Sequence, residues 1–443
     1  MKYVIIGGDA AGMSAAMQIV RNDPDAEVTT LEMGEYYSYA QCGLPYVISG
    51  QVESTDDLIA RELSTFRDKY GINALTLHEV TNMNPDEKTV SGINHETGET
   101  FSYNYDRLLI ASGAQPLLPN WDGNELEGIH TVKTIPDIKQ ISNDLHKEVK
   151  TVTIVGGGYI GLEMAENFVE IGKHVRIIEQ ASQLATIFDN DMASHIHEQA
   201  EKHNIELVFN ESVQSFSGKT RVKEVKTDKQ TYNTDLVIVA IGVRPSTSFA
   251  SDSLFHKHDN GALLVNRYME TNVSDVYAAG DCATQYHRLK EKDDYIPLGT
   301  HANKQGQIAG INMVGGTRTF KGVVGTSILK FFDLTLARTG LSEQEAEQLH
   351  VPFETTTLKS LHIAGYYPNP KPIHIKLMYH RDHRQLLGGQ VIGSAGVDKR
   401  IDVLAAALFH GMTVHELEDL DLSYAPPFNG VWDPIQQAAR RSR

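Results

Sequence analysis

Apolar positions fall in a recurring order along the chain. Tyr3-Val4-Ile5-Ile6 is an unbroken apolar run, bounded at once by Gly7-Gly8-Asp9-Ala10-Ala11-Gly12. A strand buried on both faces reads this way, and the glycines end it in a tight turn. From Met13 to Arg21 apolar and small residues recur at helical spacing, which predicts a helix. Val28 to Glu32 then reads as a second strand, closed by an acid. The same order returns at Thr151 to Val155, Gly156-Gly157-Gly158-Tyr159-Ile160-Gly161, Leu162 to Ile171, and His174 to Glu179. This internal duplication organises the chain. Two further short strands run into glycines: Asp106 to Ala111 before Ser112-Gly113, and Asp235 to Ala240 before Ile241-Gly242. From about Gly322 the pattern changes to strand-like runs (His374 to Tyr379, Gln390 to Ile392) and an apolar helix, Arg400 to His410. The expected fold is α/β, with two Rossmann-like dinucleotide-binding units and a C-terminal α+β domain.

A glycine turn between strand and helix lets backbone N–H groups approach a pyrophosphate at a helix N-terminus, where the macrodipole favours anions. An acid at the end of the next strand accepts from a ribose hydroxyl. Gly156, Gly158 and Gly161 complete this fingerprint, with Glu179 as the acid. The first copy keeps Gly7, Gly12 and Glu32 but has Asp9 in the middle position. Two such units imply two dinucleotides held face to face. A carboxylate at Glu179 accepts from a free 2′-hydroxyl and repels a 2′-phosphate, so NADH is expected ahead of NADPH.

Composition narrows the rest. No apolar run nears the ~20 residues that span a bilayer, and the first strand begins with no cleavable signal before it, so a cytoplasmic location is expected. The net charge of −17 repels nucleic acid and anionic membranes, and neither is expected as a partner. A polyanionic substrate would need a local basic patch. The two cysteines, Cys42 and Cys282, exclude a disulfide scaffold and a cysteine zinc site, and no metal is expected. Cys42 precedes a glycine and an early proline, as at a helix N-terminus, a position that favours thiolate. Cys282 sits in an apolar strand-to-turn segment and reads as a core residue.

Ser38-Tyr39-Ala40-Gln41-Cys42-Gly43-Leu44-Pro45-Tyr46, with both glycine turns, resembles the single-cysteine branch of the pyridine nucleotide–disulfide oxidoreductases, and within it the coenzyme A-disulfide reductases. Tyr277-Ala278-Ala279-Gly280-Asp281 resembles the family's second flavin-binding strand, whose aspartate bonds the ribityl chain. Pro297 to Thr300 and Ala302 to Gly306 resemble the helix start beneath the isoalloxazine. The resemblance implies FAD and NADH or NADPH as cofactors. It divides the chain into an FAD-binding domain in two parts, 1–112 and 242–320, an NAD(P)H-binding domain, 113–241, and a dimerisation domain, 321–443. Cofactor contacts are expected from Gly7, Gly12, Glu32, Ser112, Gly113, Gly156, Gly158, Tyr159, Gly161, Glu179, Gly242, Gly280, Asp281 and Ala302, with Tyr159 as a gate over the flavin.

Departures from relatives narrow the chemistry. Two-cysteine members carry a second cysteine five residues on, where this chain has Val47. Peroxidase members carry a histidine in the first glycine turn, where this chain has Ala10. His410 and His415 do not match the acid–base dyad of the two-cysteine enzymes and read as surface histidines. Gly365-Tyr366-Tyr367-Pro368 and Tyr424-Ala425-Pro426-Pro427 resemble the segments that bring two acid tyrosines from a partner subunit, which assigns Tyr366 and Tyr424 that role beside Cys42 and implies a homodimer. Phe428 replaces a further tyrosine. Arg21, Arg61, Arg67 and Lys69 are candidates for anionic substrate groups, and Ser38 and Asn303 for the cysteine pocket. The expected reaction is NAD(P)H-driven reduction of a coenzyme A disulfide-like oxidant through a Cys42 mixed disulfide. The alternatives are a sulfenyl oxidant such as hypothiocyanous acid, an NADH oxidase or peroxidase with a Cys42 sulfenic acid, and a non-enzymatic redox sensor.

Overall fold

The computed structural model describes residues 1–442; Arg443, the last residue of the expected dimerisation domain, lies outside them. The first sheet has five parallel strands in the order Val276–Ala278, Arg107–Ile110, Lys2–Ile6, Glu27–Leu31 and Asn73–Leu75. The second repeats the plan with Glu206–Phe209, His174–Glu179, Thr151–Val155, Leu236–Val239 and Ile129–His130. The register repeats too. Ile6 pairs with Leu31 and Ile110, and Val155 pairs with Ile178 and Val239. In each sheet the strand that enters the glycine turn is therefore central. Val4, Ile5, Val152, Ile154 and all of Leu236–Val239 are buried, as strands covered on both faces must be.

Helix α1 spans Ala10–Asn22 and follows the first turn; the short α2, Leu44–Ser49, follows Cys42; α3, Tyr159–Glu170, follows the second turn. Both long helices begin three residues earlier than the periodicity predicts, inside the turn itself. The cause is steric. A β-carbon on Gly12 would lie 2.0 Å from the Gly7 carbonyl oxygen, and one on Gly161 would lie 2.1 Å from that of Gly156. Their absence lets each helix start tight against its own strand. A fourth helix, α4 at Gly299–Met313, returns to the first unit and lies against α1. A β-carbon on Gly306 would lie 2.1 Å from the Ala11 carbonyl oxygen.

The C-terminal sheet is antiparallel, ordered Ser327–Phe331, Leu334–Gly340, Leu386–Gly393, Pro372–His380 and Phe353–Leu361. Leu386–Gly393 is longer than expected and wholly buried; Gly388, Gly389 and Gly393 interrupt its apolar pattern in sequence but give neighbours room in space. Helix α5, Val397–Phe409, seals this sheet with Ile401, Leu404 and Leu408. Lys376, 4% exposed, reaches from the sheet to Asp189 and Asp191 of the second unit and to Glu343, at 3.1, 2.8 and 2.8 Å. Among the described residues no helix is long and apolar enough to cross a membrane, and no group of three or more His, Cys, Asp or Glu could hold a metal ion.

Candidate active site

The two turns are built alike. Gly7 and Gly156 have φ of +110° and +103°, open to glycine at little cost. A β-carbon on either would strike the next strand's exit, 2.1 Å from the Ala111 oxygen or 2.5 Å from that of Ala240. Glu32 accepts from the Gly8 and Gly34 N–H groups at 2.8 Å each, and Glu179 accepts from Gly157 and Ala181 at 2.8 Å each. Each acid thus stands at the turn, where a ribose beside a turn-bound pyrophosphate would meet it. Burial pushes the Glu32 carboxyl up. Gly158 has open space where a β-carbon would sit, the close approach that a pyrophosphate needs. The arrangement fits two dinucleotides.

The remaining expected cofactor residues lie at the seams. Gly280 N–H donates to Gln305 of α4 at 3.0 Å, and Ala302 packs against that glycine. The half-buried Asp281 carboxylate meets Lys133 at 3.2 Å. Ser112 Oγ donates to the Ser246 carbonyl at 2.7 Å, Ser246 N–H to Gly113 at 2.9 Å, and Leu117 N–H to Gly242 at 2.9 Å, so these three mark the crossing between the units. Tyr159 opens α3, and its hydroxyl hydrogen-bonds Ser327 of the C-terminal sheet.

Cys42 lies on a single 3₁₀ turn, Gln41–Gly43, just ahead of α2, with Pro45 in the helix's first turn. The placement agrees with expectation, but the acidity does not. The thiol reaches solvent on one side, yet burial first, then the Glu163 carboxylate, push its pKa up, while Lys133 pulls it down. A six-residue helix offers little dipole to offset that surrounding mass. Val47, where a second cysteine would stand, packs against the apolar core. Cys282 is fully buried, with its thiol within 3.3 Å of the Ile110 and Ala279 carbonyl oxygens, and burial pushes it up to about 11; it is a core residue. His410 and His415 are exposed.

Sequence reading missed Glu163. It lies on α3, and burial alone raises its carboxyl to about 7. Besides Cys42 it raises Tyr46 and Tyr159. Its signal was an acid within an apolar stretch of helix, whose meaning needs the packing of α2 on α3 to be visible.

Four of the substrate candidates share one cavity. About 490 Å³ in volume, it is lined by Arg21, Ser38, Arg61 and Asn303, with Ala10, Ser14, Phe66 and Lys304 among the rest. Three basic side chains and no carboxylate line it, in a chain of net charge −17. Lys304 was missed, although it adjoins Asn303. Ser38 joins the cavity to the cysteine loop: its N–H donates to Gly8 at 3.0 Å and its carbonyl accepts from Ala60 at 2.8 Å. Asn303 Oδ1 accepts from Ser14 at 2.8 Å. Arg67 and Lys69 are not among its lining residues. The Arg67 guanidinium donates to the Ala74 carbonyl at 2.9 and 2.6 Å, and Lys69 lies over the Tyr70 ring at 5.4 Å.

Tyr366 and Tyr424 come together from loops 58 residues apart, their hydroxyls 3.1 Å from each other. They are 76% and 45% exposed, and Phe428, Val431 and Trp432 of the same C-terminal region are exposed as well. The hydrogen bond to Tyr424 raises the Tyr366 phenol.

A model of pyridine nucleotide-disulphide oxidoreductases matches residues 1–306, and the dimerisation domain of the same family matches residues 326–434. An NAD(P)H coenzyme A polysulfide/persulfide reductase of Pyrococcus horikoshii is 38% identical, the match covering 99% of this chain and 98% of that one. A coenzyme A disulfide reductase of Staphylococcus epidermidis is 33% identical over 98% of both. The crystal structure of reduced Bacillus anthracis CoADR-RHD superposes with a TM-score of 0.97 at 36% identity, covering 100% of this chain and 80% of that one. Similar from end to end to such relatives, and matched by the family's model over most of its length, the chain belongs to the pyridine nucleotide-disulphide oxidoreductases.

Proposed function

We propose that the protein is an FAD-dependent NAD(P)H reductase of a coenzyme A-borne disulfide, working through the single thiol of Cys42. The observation that carries this is the cavity of Arg21, Arg61 and Lys304, free of carboxylates and joined by Ser38 to the Cys42 loop. A molecule bearing several phosphates and a reactive sulfur suits it; a small neutral oxidant has no use for three positive charges. FAD is assigned to the first glycine turn and NAD(P)H to the second. The proposed division of the chain is 1–112 with 242–320, then 113–241, then 321–443. The unpaired cysteines suit a reducing, cytoplasmic setting.

In this reading the Cys42 thiolate attacks one sulfur of the oxidant. A Cys42–coenzyme A disulfide forms, the oxidant's S–S bond breaks, and one thiolate leaves and takes a proton. When bound, the flavin supplies an electron pair from NAD(P)H to that mixed disulfide, which frees the second thiolate and restores Cys42. The balance is NAD(P)H, one proton and one disulfide giving NAD(P)⁺ and two thiols. The proton donors are the paired phenols of Tyr366 and Tyr424 of the partner subunit in a homodimer. Their exposure, and the apolar residues exposed in the same region, support a second copy as the cover. A phenol held beside a leaving thiolate can protonate it. Glu163, poised near neutrality, is a second proton store close to the thiol.

A second reading is favoured by the name of the Pyrococcus horikoshii relative. With a coenzyme A persulfide the same attack expels hydrosulfide and gives the same mixed disulfide. The test is NADH oxidation with coenzyme A disulfide, coenzyme A persulfide, hypothiocyanous acid, hydrogen peroxide and oxygen, with Cys42→Ser as control. The two coenzyme A compounds should be turned over and Cys42→Ser should be inactive with both. Full turnover by Cys42→Ser refutes the thiol mechanism, and preference for hypothiocyanous acid or peroxide refutes the role given to the cavity.

A further inference from the structure

Asp9 stands in the first turn where the second has Gly158, and nothing in the reaction above uses it. Its backbone is extended, with φ −115° and ψ −151°, at the N-cap of α1. An aspartate at that position ordinarily accepts from an N–H two or three residues on. Asp9 makes no such bond. Its Oδ2 accepts instead from Gln41 Nε2 at 2.7 Å, and a backbone N–H at Tyr39 also donates to it. Beside these, Ser38 N–H donates to the Gly8 carbonyl at 3.0 Å. The loop that carries Cys42 thus hangs from the glycine turn, with Asp9 at the centre of the attachment. Turning away also leaves the α1 N–H groups free for a pyrophosphate.

We propose that Asp9 is a positioning residue for Cys42: it gives up capping α1 to hold Gln41, ties the cysteine turn to the dinucleotide turn, and takes up a proton when the dinucleotide is loaded. This rests on the reading of Cys42 as the redox thiol. The charged groups around Asp9 are Glu32 at the end of the neighbouring strand and Lys133, itself paired with Asp281; Gln41, Tyr39 and the Cys42 thiol are the neutral neighbours. Burial first and then Glu32 push Asp9 up to about 6, while the Gln41 and Tyr39 bonds and Lys133 hold it down. A pyrophosphate at the same turn adds negative charge and raises it further. The neutral acid still offers a carbonyl oxygen to Gln41. Because the loaded protein binds that proton more tightly, flavin affinity should be constant below about pH 6. Above that pH it should weaken by up to ~tenfold per pH unit until the loaded-state pKa is passed.

The test uses the flavin-loaded full chain. Free flavin at equilibrium after dilution is read by fluorescence from pH 5 to 8, and Cys42 alkylation by iodoacetamide is followed over the same range. Wild type should release more flavin as pH rises. Asp9→Asn, neutral and still able to accept from Gln41, should lose that dependence. It should match wild-type alkylation at the low-pH end, where Asp9 is protonated, and speed it only where the wild-type carboxylate is ionised and opposes the thiolate. Asp9→Gly and Gln41→Leu should shift the alkylation profile together, and Gln41→Leu decides the point if Asp9→Gly does not fold. Identical flavin release by wild type and Asp9→Asn, or an unshifted alkylation profile in Gln41→Leu, overturns the proposal. Neither result touches the dependence of turnover on Cys42, which is lost only if the thiol reading itself fails.

Discussion

Replacing Arg61 with glutamine tests the basic cavity. Arg61 lies over the rings of Phe66 and Tyr70 at 5.4 and 5.6 Å, so its guanidinium is held before any ligand arrives. A phosphate meeting it gains a charge-assisted hydrogen bond, worth about 1.5–3 kcal/mol. Arg21 and Lys304 beside it are exposed, so water and salt screen the site, and the lower end, about 1.5 kcal/mol, applies. That corresponds to roughly a tenfold loss in kcat/KM. The contact is remote from the reacting sulfur and equal in ground and transition states, so the loss should fall on KM and leave kcat near the wild-type value. The assay is initial-rate NADH oxidation with coenzyme A disulfide and with pantetheine disulfide, which has the same sulfur end without the phosphates. Arg61→Gln should lose activity with the first and not the second, and added salt should narrow the gap between wild type and variant. Equal losses on both substrates would mean that Arg61 supports the fold, and no loss on either would mean that the phosphates bind elsewhere.

Three further outcomes follow from the same geometry. Glu163→Gln should speed Cys42 alkylation above about pH 7, where the wild-type carboxylate is charged and opposes the thiolate, and should change little well below it; an unchanged rate at high pH would show that the carboxylate does not act on the thiol. Glu179→Ser removes a charge of about 1 kcal/mol against a 2′-phosphate, so the NADPH to NADH ratio of kcat/KM should rise about fivefold; an unchanged ratio would place cofactor selection elsewhere. Burial holds His287 and His374 at about 4, below an unfolded value near 6.5. A depressed histidine favours the neutral native form, so its stability is complete above pH 6.5 and lost as pH falls toward about 4. Glu163 and Asp9, raised to about 7 and about 6, favour the protonated native state over the same range, so the histidine contribution is read as a difference. Between pH 7 and 5 the thermal midpoint of wild type should fall relative to that of His374→Gln, and parallel curves count against the assignment.

The parts of this fold that were legible are those set by local sequence. Glycine spacing and the change of period from strand to helix mark both turns, and the segment around Cys42 is distinctive in itself. What was not legible needed partners distant in the chain. Arg21 and Arg61 could not be told from Arg67 and Lys69, because nothing local shows that the Arg67 guanidinium is spent on the Ala74 carbonyl. The acidity of Cys42 was misjudged because Pro45 marks a helix start but not its length, and α2 ends at Ser49. Glu163 lies far along the chain from the thiol that it opposes.

The two glycine turns also show how a duplicated unit acquires two jobs. Their frames coincide, down to the acid that accepts from the second glycine's N–H at 2.8 Å in each. They differ at the two positions that follow. In the second turn these are Gly158, which leaves space, and Tyr159, which reaches the C-terminal sheet through Ser327. In the first they are Asp9, which reaches the cysteine loop through Gln41, and Ala10, which lines the basic cavity. The residue pair after the glycines therefore decides what each turn is fastened to. An alanine at position 10 keeps the cavity open beside the cysteine loop, and a larger side chain there would take space that a phosphate-bearing ligand needs. In the proposed reaction, the alanine that departs from the peroxidase pattern leaves room there for the bulkier oxidant.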